Sequence, residues 1–375
     1  MFYHLLTPLV DTFSAFNMFN YITLRAAGAA STAILMAFLV GPWIIRSLGA
    51  RGVGQVIRAD GPASHHSKRG TPTMGGLIVL LCTIVPTFLW ARLDNHYVLY
   101  AALATLWMGG IGFVDDYLKV VEGKPRGLVA RYKLVGQVTF GVVLGLILLT
   151  WPIWPVEALP ADATTLPFFK YLLVPLTPLV YIAFVTFILT GFSNAVNLTD
   201  GLDGLAAGLT VIAAGAFAVF SYIFGHAIAA DYLHVYFLLG AGELAVFCAA
   251  LMGAALGFLW FNSHPAEVFM GDTGSLAIGG AFGTVAILLK SEFLLLLVGG
   301  VFVAETASVI IQTGTFRWRK RRHGREYARQ HRVFRMAPLH HHFEQLGWTE
   351  SKIVIRFYII AILCALVALA TLKIR

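Results

Sequence analysis

Apolar runs of roughly 17–25 residues alternate along this chain with short polar strings. They predict ten membrane-spanning helices, near 22–45, 73–93, 96–114, 132–151, 171–191, 203–224, 236–261, 272–289, 292–314 and 353–373. A helix of about 20 residues crosses the hydrocarbon core of a bilayer. The seventh run holds Glu243 near its start, which predicts a tilted span or a late helix start. Residues 1–20 read as an interfacial lead-in; no Lys or Arg precedes the first run and no cleavage site follows it, unlike a secretory signal. Pro152, Pro155, Pro160 and Pro167 make 152–170 an extended linker. The expected fold class is all-α, a polytopic integral membrane protein of about ten helices. No loop is long enough for a second domain, so 1–375 is read as one.

Composition strengthens this reading. The chain is 58% hydrophobic and 12% charged, against about 25% charged in soluble domains. Cys82, Cys248 and Cys364 all lie in apolar runs and read as small buried hydrophobes. Charge then gives orientation. The loops 46–72, 115–133 and 315–352 carry 5, 5 and 10 Lys and Arg residues, 20 of the 27 in the chain. All three fall on one side of a ten-span plan, and the excess of positive charge makes that side the cytoplasm. Both termini are then expected outside.

Five polar strings sit where apolar runs meet loops on that side: GTPTMGG (70–76), FVDDYLK (113–119), NAVNLTDGLDG (194–204), FMGDTGS (269–275) and PLHHHFE (338–344). Adjacent carboxylates such as Asp115 and Asp116 repel unless a cation or proton lies between them. Lys119, at i+4 and i+3, can partner either. They read as a metal or phosphate site or a base, or as a solvated helix end with a local ion pair. Asp200 and Asp203 share a face one turn after Asn197, and Gly201 and Gly204 permit close backbone approach. Asp200 could also cap the sixth span, but one cap does not explain four polar residues beside lipid. Asp272 lies between glycines at a helix start, where backbone amides favour an anion and the carboxylate could hold Mg2+ bridging to it. Phe269 offers an aromatic face for a base. Lys68, Thr71 and Thr73 could meet phosphate, with Pro72 near a helix start as the structural alternative. His340, His341 and His342 point in different directions on a helix and suit proton transfer or phosphate contact better than zinc. Glu243 and Glu305 lie inside apolar runs and can pair within the bundle.

Together the five strings resemble the bacterial phospho-N-acetylmuramoyl-pentapeptide-transferase family, of the polyprenyl-phosphate N-acetylhexosamine-1-phosphate transferase superfamily. The resemblance runs in order from Asp60-Gly61-Pro62 to the last span. PLHHHFE and GTPTMGG point to the muramoyl-pentapeptide branch rather than to transferases of UDP-GlcNAc or related UDP-sugars. The resemblance implies Mg2+-dependent transfer of phospho-MurNAc-pentapeptide from UDP-MurNAc-pentapeptide to undecaprenyl phosphate, at the cytoplasmic face of the bacterial inner membrane. It implies Asp272 as the metal carboxylate, with Asp115 and Asp116 as further ligands, base or nucleophile. It places Lys68, Thr73, Asn197, Asp200, Gly201, Leu202, Asp203, Asn262, Phe269 and Gly271 at the nucleotide sugar. Lys119 and Lys133 would meet phosphate, and His340, His341 and His342 the phospho-sugar or peptide side. Membrane lipids and a second copy of the chain are the implied partners, and nucleic acid is not. A non-enzymatic transporter would instead spread polar residues through the membrane depth. The stretch between Gln312 and Phe334 is longer and more basic than the resemblance implies.

Overall fold

A computed structural model describes residues 1–50, 70–124, 127–154, 159–169 and 172–374. A short helix, α1 (Phe2–Leu6), and 3-10 turns lead into α2 (Ile22–Ala50), α3 (Gly76–Trp90), α4 (His96–Val120) and α5 (Ala130–Thr150). An antiparallel ribbon of β1 (Ala163–Thr165) and β2 (Leu173–Pro175) follows, with Ala163 opposite Pro175. Then come α6 (Pro178–Thr199), α7 (Leu205–Phe224), α8 (Ala227–Leu233), α9 (Leu244–Asn262) and α10 (Gly271–Leu288). The chain ends with α11 (Glu292–Val298), α12 (Gly300–Gln330), α13 (Leu339–Glu344) and α14 (Glu350–Ile374).

All ten predicted apolar runs are helical over most of their length, but they are not ten equivalent spans. Among the described residues, seven helices are each long and apolar enough to cross a membrane: α2, α4, α5, α6, α7, α9 with its preceding turn, and α14. The ninth run is broken. α11 and α12 meet at 89° and make an eighth crossing only as a bent pair. α3 has 15 residues. α10 is the innermost helix, with every residue from Thr273 to Leu288 buried. It packs against α4, α6 and α3, so its surface meets helices, not lipid. Small residues permit this, as in other membrane bundles: a Cβ on Gly280 would lie 2.5 Å from a Met108 side-chain carbon on α4.

The ribbon corrects the extended-linker reading for part of 152–170, and β2 takes the start of the fifth run, so α6 begins only at Pro178. Thr164 Oγ1 donates to Glu292 Oε2 at 2.6 Å and Thr165 Oγ1 to the Lys290 carbonyl at 2.6 Å, fastening β1 over the start of α11. The late start of the seventh run is observed, with α9 beginning at Leu244 after a 3-10 turn. Glu243 ends that turn and grips Arg25 of α2 through two hydrogen bonds of 2.5 and 2.6 Å, both side chains almost fully buried. The Arg92 amide also donates to Glu243, at 3.1 Å. Residues 1–20 cover this end, where Phe2 and Phe19 pack on Trp90.

Removing one member of a buried pair strands the other charge, whereas replacing both with apolar residues is often nearly neutral. Glu243→Ala should therefore cost about 3–5 kcal/mol of stability. The double change Arg25→Leu with Glu243→Leu should recover about half of that or more. Thermal unfolding in detergent measures both; equal losses would mean that packing, not charge, holds this end.

Candidate active site

Four of the five strings meet at one end of the bundle, around the N-terminus of α10. GTPTMGG and FMGDTGS zip together through backbone: the Phe269 amide donates to the Pro72 carbonyl, Gly75 to the Phe269 carbonyl and Gly76 to the Met270 carbonyl, each at 2.8 Å. Gly76 and Gly274 pack backbone to backbone, and a Cβ on Gly112 of α4 would collide with the Asp272 carbonyl. Gly271 sits at φ +74° with Asp116 Oδ2 only 2.7 Å from where a Cβ would stand, a conformation and a space that favour glycine. Glycine at these positions brings α3, α4 and the start of α10 into contact at the level of the acids.

Asp115 and Asp116 lie near the end of α4 and are both buried, which overturns the solvated-helix-end reading. They do different work. Asp116 faces the start of α10: Oδ1 accepts from the Asp272 amide at 3.1 Å, and Oδ2 from the Thr273 amide at 2.8 Å and hydroxyl at 2.7 Å. It caps α10 from another helix, answering the unpaired amides and the positive end of the helix dipole. Asp115 faces the cations. Oδ2 pairs with Lys119, the i+4 partner, and with Lys133 of α5 at 3.3 Å, while Oδ1 accepts from the Leu128 amide at 2.8 Å.

Asp272 completes the cluster. Its Oδ2 accepts from Lys133 at 2.5 Å and Lys119 at 3.2 Å, and its Oδ1 from Asn197 Nδ2 at 2.8 Å. The same Asn197 nitrogen reaches Ser275 Oγ at 2.8 Å. One oxygen from each of Asp115, Asp116 and Asp272 lies within 4.8 Å of the others, a donor set that fits a hard divalent cation. Asp200 follows α6 beside this group. Burial, with the Asp272 and Asp116 carboxylates nearby, pushes its carboxyl up to about 8.

The remainder of NAVNLTDGLDG forms a second lobe. Asp203 Oδ2 lies 2.9 Å from His264 Nδ1 and accepts from the Ala266 amide at 3.2 Å, and the Asp203 amide donates to Glu350 Oε1 at 2.7 Å. Asn262 is buried and structural: its oxygen accepts from the Gly204 amide at 3.1 Å and its nitrogen donates to the Val268 carbonyl at 2.9 Å. It fixes the 200–204 loop to the segment that carries Phe269. Leu202 is buried, Thr73 lies against Gly271, and Phe269 is half-buried.

The three histidines diverge on α13. His340 is buried and packs against Gly201, with its Nδ1 3.3 Å from Glu305 Oε1, which also accepts its amide at 3.2 Å. His341 pairs with Glu344 at 2.6 Å, and His342 Nδ1 accepts from the Arg335 amide at 3.1 Å. PLHHHFE therefore reaches the 200–204 loop through His340, not the acidic cluster directly. Lys68, Asp60, Gly61 and Pro62 lie outside the described residues.

The sequence did not mark Thr273, Ser275, His264, Glu350 or Glu305 as site members. Glu305 carried a signal, being an acid inside an apolar run. Thr273 and Ser275 carried one too, as polar residues at a helix start. His264 and Glu350 had none, because only the fold brings them to Asp203.

Asp200 gives a pH prediction. Its carboxyl is raised above the ordinary value near 4, so its favourable contribution is present below that value and is lost as pH climbs to about 8. In metal-free protein, Asp200→Asn should raise the unfolding temperature more at about pH 8 than at about pH 5. An equal gain at both values would mean that Asp200 is not held neutral.

Comparison with known proteins places these residues in context. Residues 98–290 match glycosyl transferase family 4, and residues 68–80 match the phospho-N-acetylmuramoyl-pentapeptide-transferase signature 1. The chain is 59% identical over 383 aligned residues to the phospho-N-acetylmuramoyl-pentapeptide-transferase of Gemmatimonas aurantiaca, covering 100% of both. It is 52% identical to that of Geobacter sp. strain M21 and 50% to that of Citrifermentans bemidjiense, again over 100% of both chains.

Proposed function

This chain belongs to the phospho-N-acetylmuramoyl-pentapeptide-transferase family, and we infer from that premise how its acidic cluster works. It is an enzyme that transfers phospho-MurNAc-pentapeptide from UDP-MurNAc-pentapeptide to undecaprenyl phosphate, releasing UMP and forming lipid I. The observation that carries the mechanism is the convergence of Asp115, Asp116 and Asp272 with Lys119 and Lys133 at the end of an apolar bundle. A polyprenyl phosphate acceptor lies in lipid and a nucleotide sugar in water, so their phosphates meet where such a bundle reaches the interface.

Electrostatics favours a divalent cation as cofactor. Three carboxylates, of Asp115, Asp116 and Asp272, face two ammonium groups, with Asp200 held toward its neutral form beside them, which leaves room for a divalent cation. We assign Mg2+, with Asp272 as principal ligand and Asp115 beside it. Asp116 is engaged by the amides of α10 and is the least free of the three. When bound, the ion supplies charge neutralisation at the diphosphate and the leaving UMP. Lys119 and Lys133 both donate to Asp272 Oδ2, which holds their ammonium groups at the level where the incoming phosphates would be met. Asp115 is either the base toward the lipid phosphate or the nucleophile that attacks the sugar-bearing phosphorus of the nucleotide sugar, expels UMP and passes the phospho-sugar on to the lipid phosphate. Because that phosphate is already largely ionised near neutral pH, positioning and charge neutralisation carry most of the acceleration.

The second lobe takes the nucleotide. Asp200, Gly201, Leu202 and Asp203 present a loop fixed by Asn262, with Phe269 as the face on which uracil stacks; Thr73, Gly271 and Asn197 complete that pocket, and the family resemblance adds Lys68 as a substrate contact. His340 buttresses the loop, and His341 and His342 flank the sugar-phosphate or peptide side. The same reading puts the site at the cytoplasmic face of the bacterial inner membrane, on one domain of about ten crossings with both termini outside, and pairs the chain as a homodimer.

The test is UMP release by purified protein given UDP-MurNAc-pentapeptide, undecaprenyl phosphate and Mg2+, with UDP-GlcNAc in parallel. Release with the muramoyl substrate alone, lost with EDTA, is expected; release only with UDP-GlcNAc would assign the sister branch. Asp272→Ala should lower turnover by about 10³-fold or more in protein that still unfolds cooperatively on heating. Near-normal turnover would sink the metal assignment.

A further inference from the structure

The nine cationic side chains between Arg317 and Arg335 take no part in the centre described above. They are Arg317, Arg319, Lys320, Arg321, Arg322, Arg325, Arg329, Arg332 and Arg335, with Glu326 the single acid among them. Among the described residues, no carboxylate forms an ion pair with any of the nine. All are exposed except the half-buried Arg319. Like charges packed this closely repel one another, and Glu326 is the one countercharge within the segment against nine cations.

The segment is nonetheless built. α12 runs from its apolar half to His323, turns at Gly324, where φ is 85° and ψ 170°, and continues to Gln330. The chain then folds back. Arg319 donates to the His331 carbonyl, and Gln312 holds Phe334 by two hydrogen bonds, donating to its carbonyl at 2.9 Å and accepting from its amide at 3.1 Å. Tyr327 stacks on His331 with ring centroids 3.9 Å apart. The helical rise from Thr315 to Gly324 is about 14 Å, and the return brings Arg332 and Arg335 back toward the level of Gln312.

We propose that this out-and-back arm is a docking surface for anionic phospholipid headgroups of the leaflet on the active-site side. Charge complementarity requires an anionic partner. Continuity with the apolar half of α12 selects the lipid, because the arm starts where that helix leaves the membrane. The residues just before it are exposed and apolar, Ile310 at 65% and Ile311 at 46%, and Trp318 at 52% stands beside the first arginine. That order, from aliphatic to Trp to a dense cationic cluster, matches the depth profile of a bilayer interface. Folding back keeps the arm near the surface, where each basic residue adds to the attraction and the field decays within a Debye length.

The test uses full-length protein reconstituted in vesicles of equal parts phosphatidylcholine and phosphatidylglycerol, then extracted into neutral detergent at low salt. The lipid retained per protein is counted. Wild type should hold phosphatidylglycerol over phosphatidylcholine by about tenfold, and about 0.5 M NaCl should abolish the preference. K320Q/R321Q/R325Q/R329Q should fall to within about twofold of the bulk ratio, while R321K/R325K/R329K should keep the enrichment. Both variants should turn over in detergent like wild type. Equal lipid ratios in wild type and the Gln variant would overturn the proposal. Loss of turnover by the Gln variant in detergent would also overturn it, by placing the arm in the active site. So would capture of a single-stranded oligonucleotide in preference to phosphatidylglycerol by wild type but not by the variant.

Discussion

The site depends on one constraint: carboxylates placed at the end of an apolar bundle must each find compensation. A buried anion without a partner is costly, and the four acids here meet that cost in four ways. Asp116 uses the amides and hydroxyl at the start of α10. Asp272 uses two lysines and Asn197. Asp115 shares those lysines and takes the Leu128 amide. Asp200 is held toward its neutral form. Each solution draws on a different element, so the acids tie α4, α5, α6 and α10 together at one level.

The backbone makes that level rigid. The two strings that zip together are GTPTMGG and FMGDTGS, the first and the fourth in chain order. Gly76 and Gly274 are in backbone contact, and Gly112 lies against the Asp272 carbonyl. Side chains at these points would separate α3 and α4 from α10 and move Asp116 away from the amides it caps. The glycines in the strings therefore set the spacing on which the charges rely.

Much of this was legible in the sequence, for physical reasons. Membrane helices announce themselves by apolar length, so every predicted run is largely helical. The depth of α10 and the break between α11 and α12 were not legible, because hydropathy does not distinguish a helix facing lipid from one facing helices. The pairing of Asp115 with Lys119 follows from i+4 spacing on one helix. The capping of α10 by Asp116 does not, since its partners lie more than 150 residues away in the chain. Asn262 illustrates the same limit: its buried bonds between two loops, to the Gly204 amide and the Val268 carbonyl, join residues that no local spacing relates.

Lys119 and Lys133 show how the cluster can hold charge and still act. Both ammonium groups sit on Asp272 Oδ2 and both also reach Asp115, so they neutralise the acids as the structure stands. In the proposed reaction the same two groups are wanted at the phosphates, and they cannot fully serve both. Their release leaves Asp115 and Asp272 uncompensated unless positive charge arrives at the same time. Acids, lysines and incoming phosphates are thus one balance of charge. A change at Lys133 should be felt at Asp272 as strongly as at the substrate, because the ammonium group rests directly on the Asp272 carboxylate.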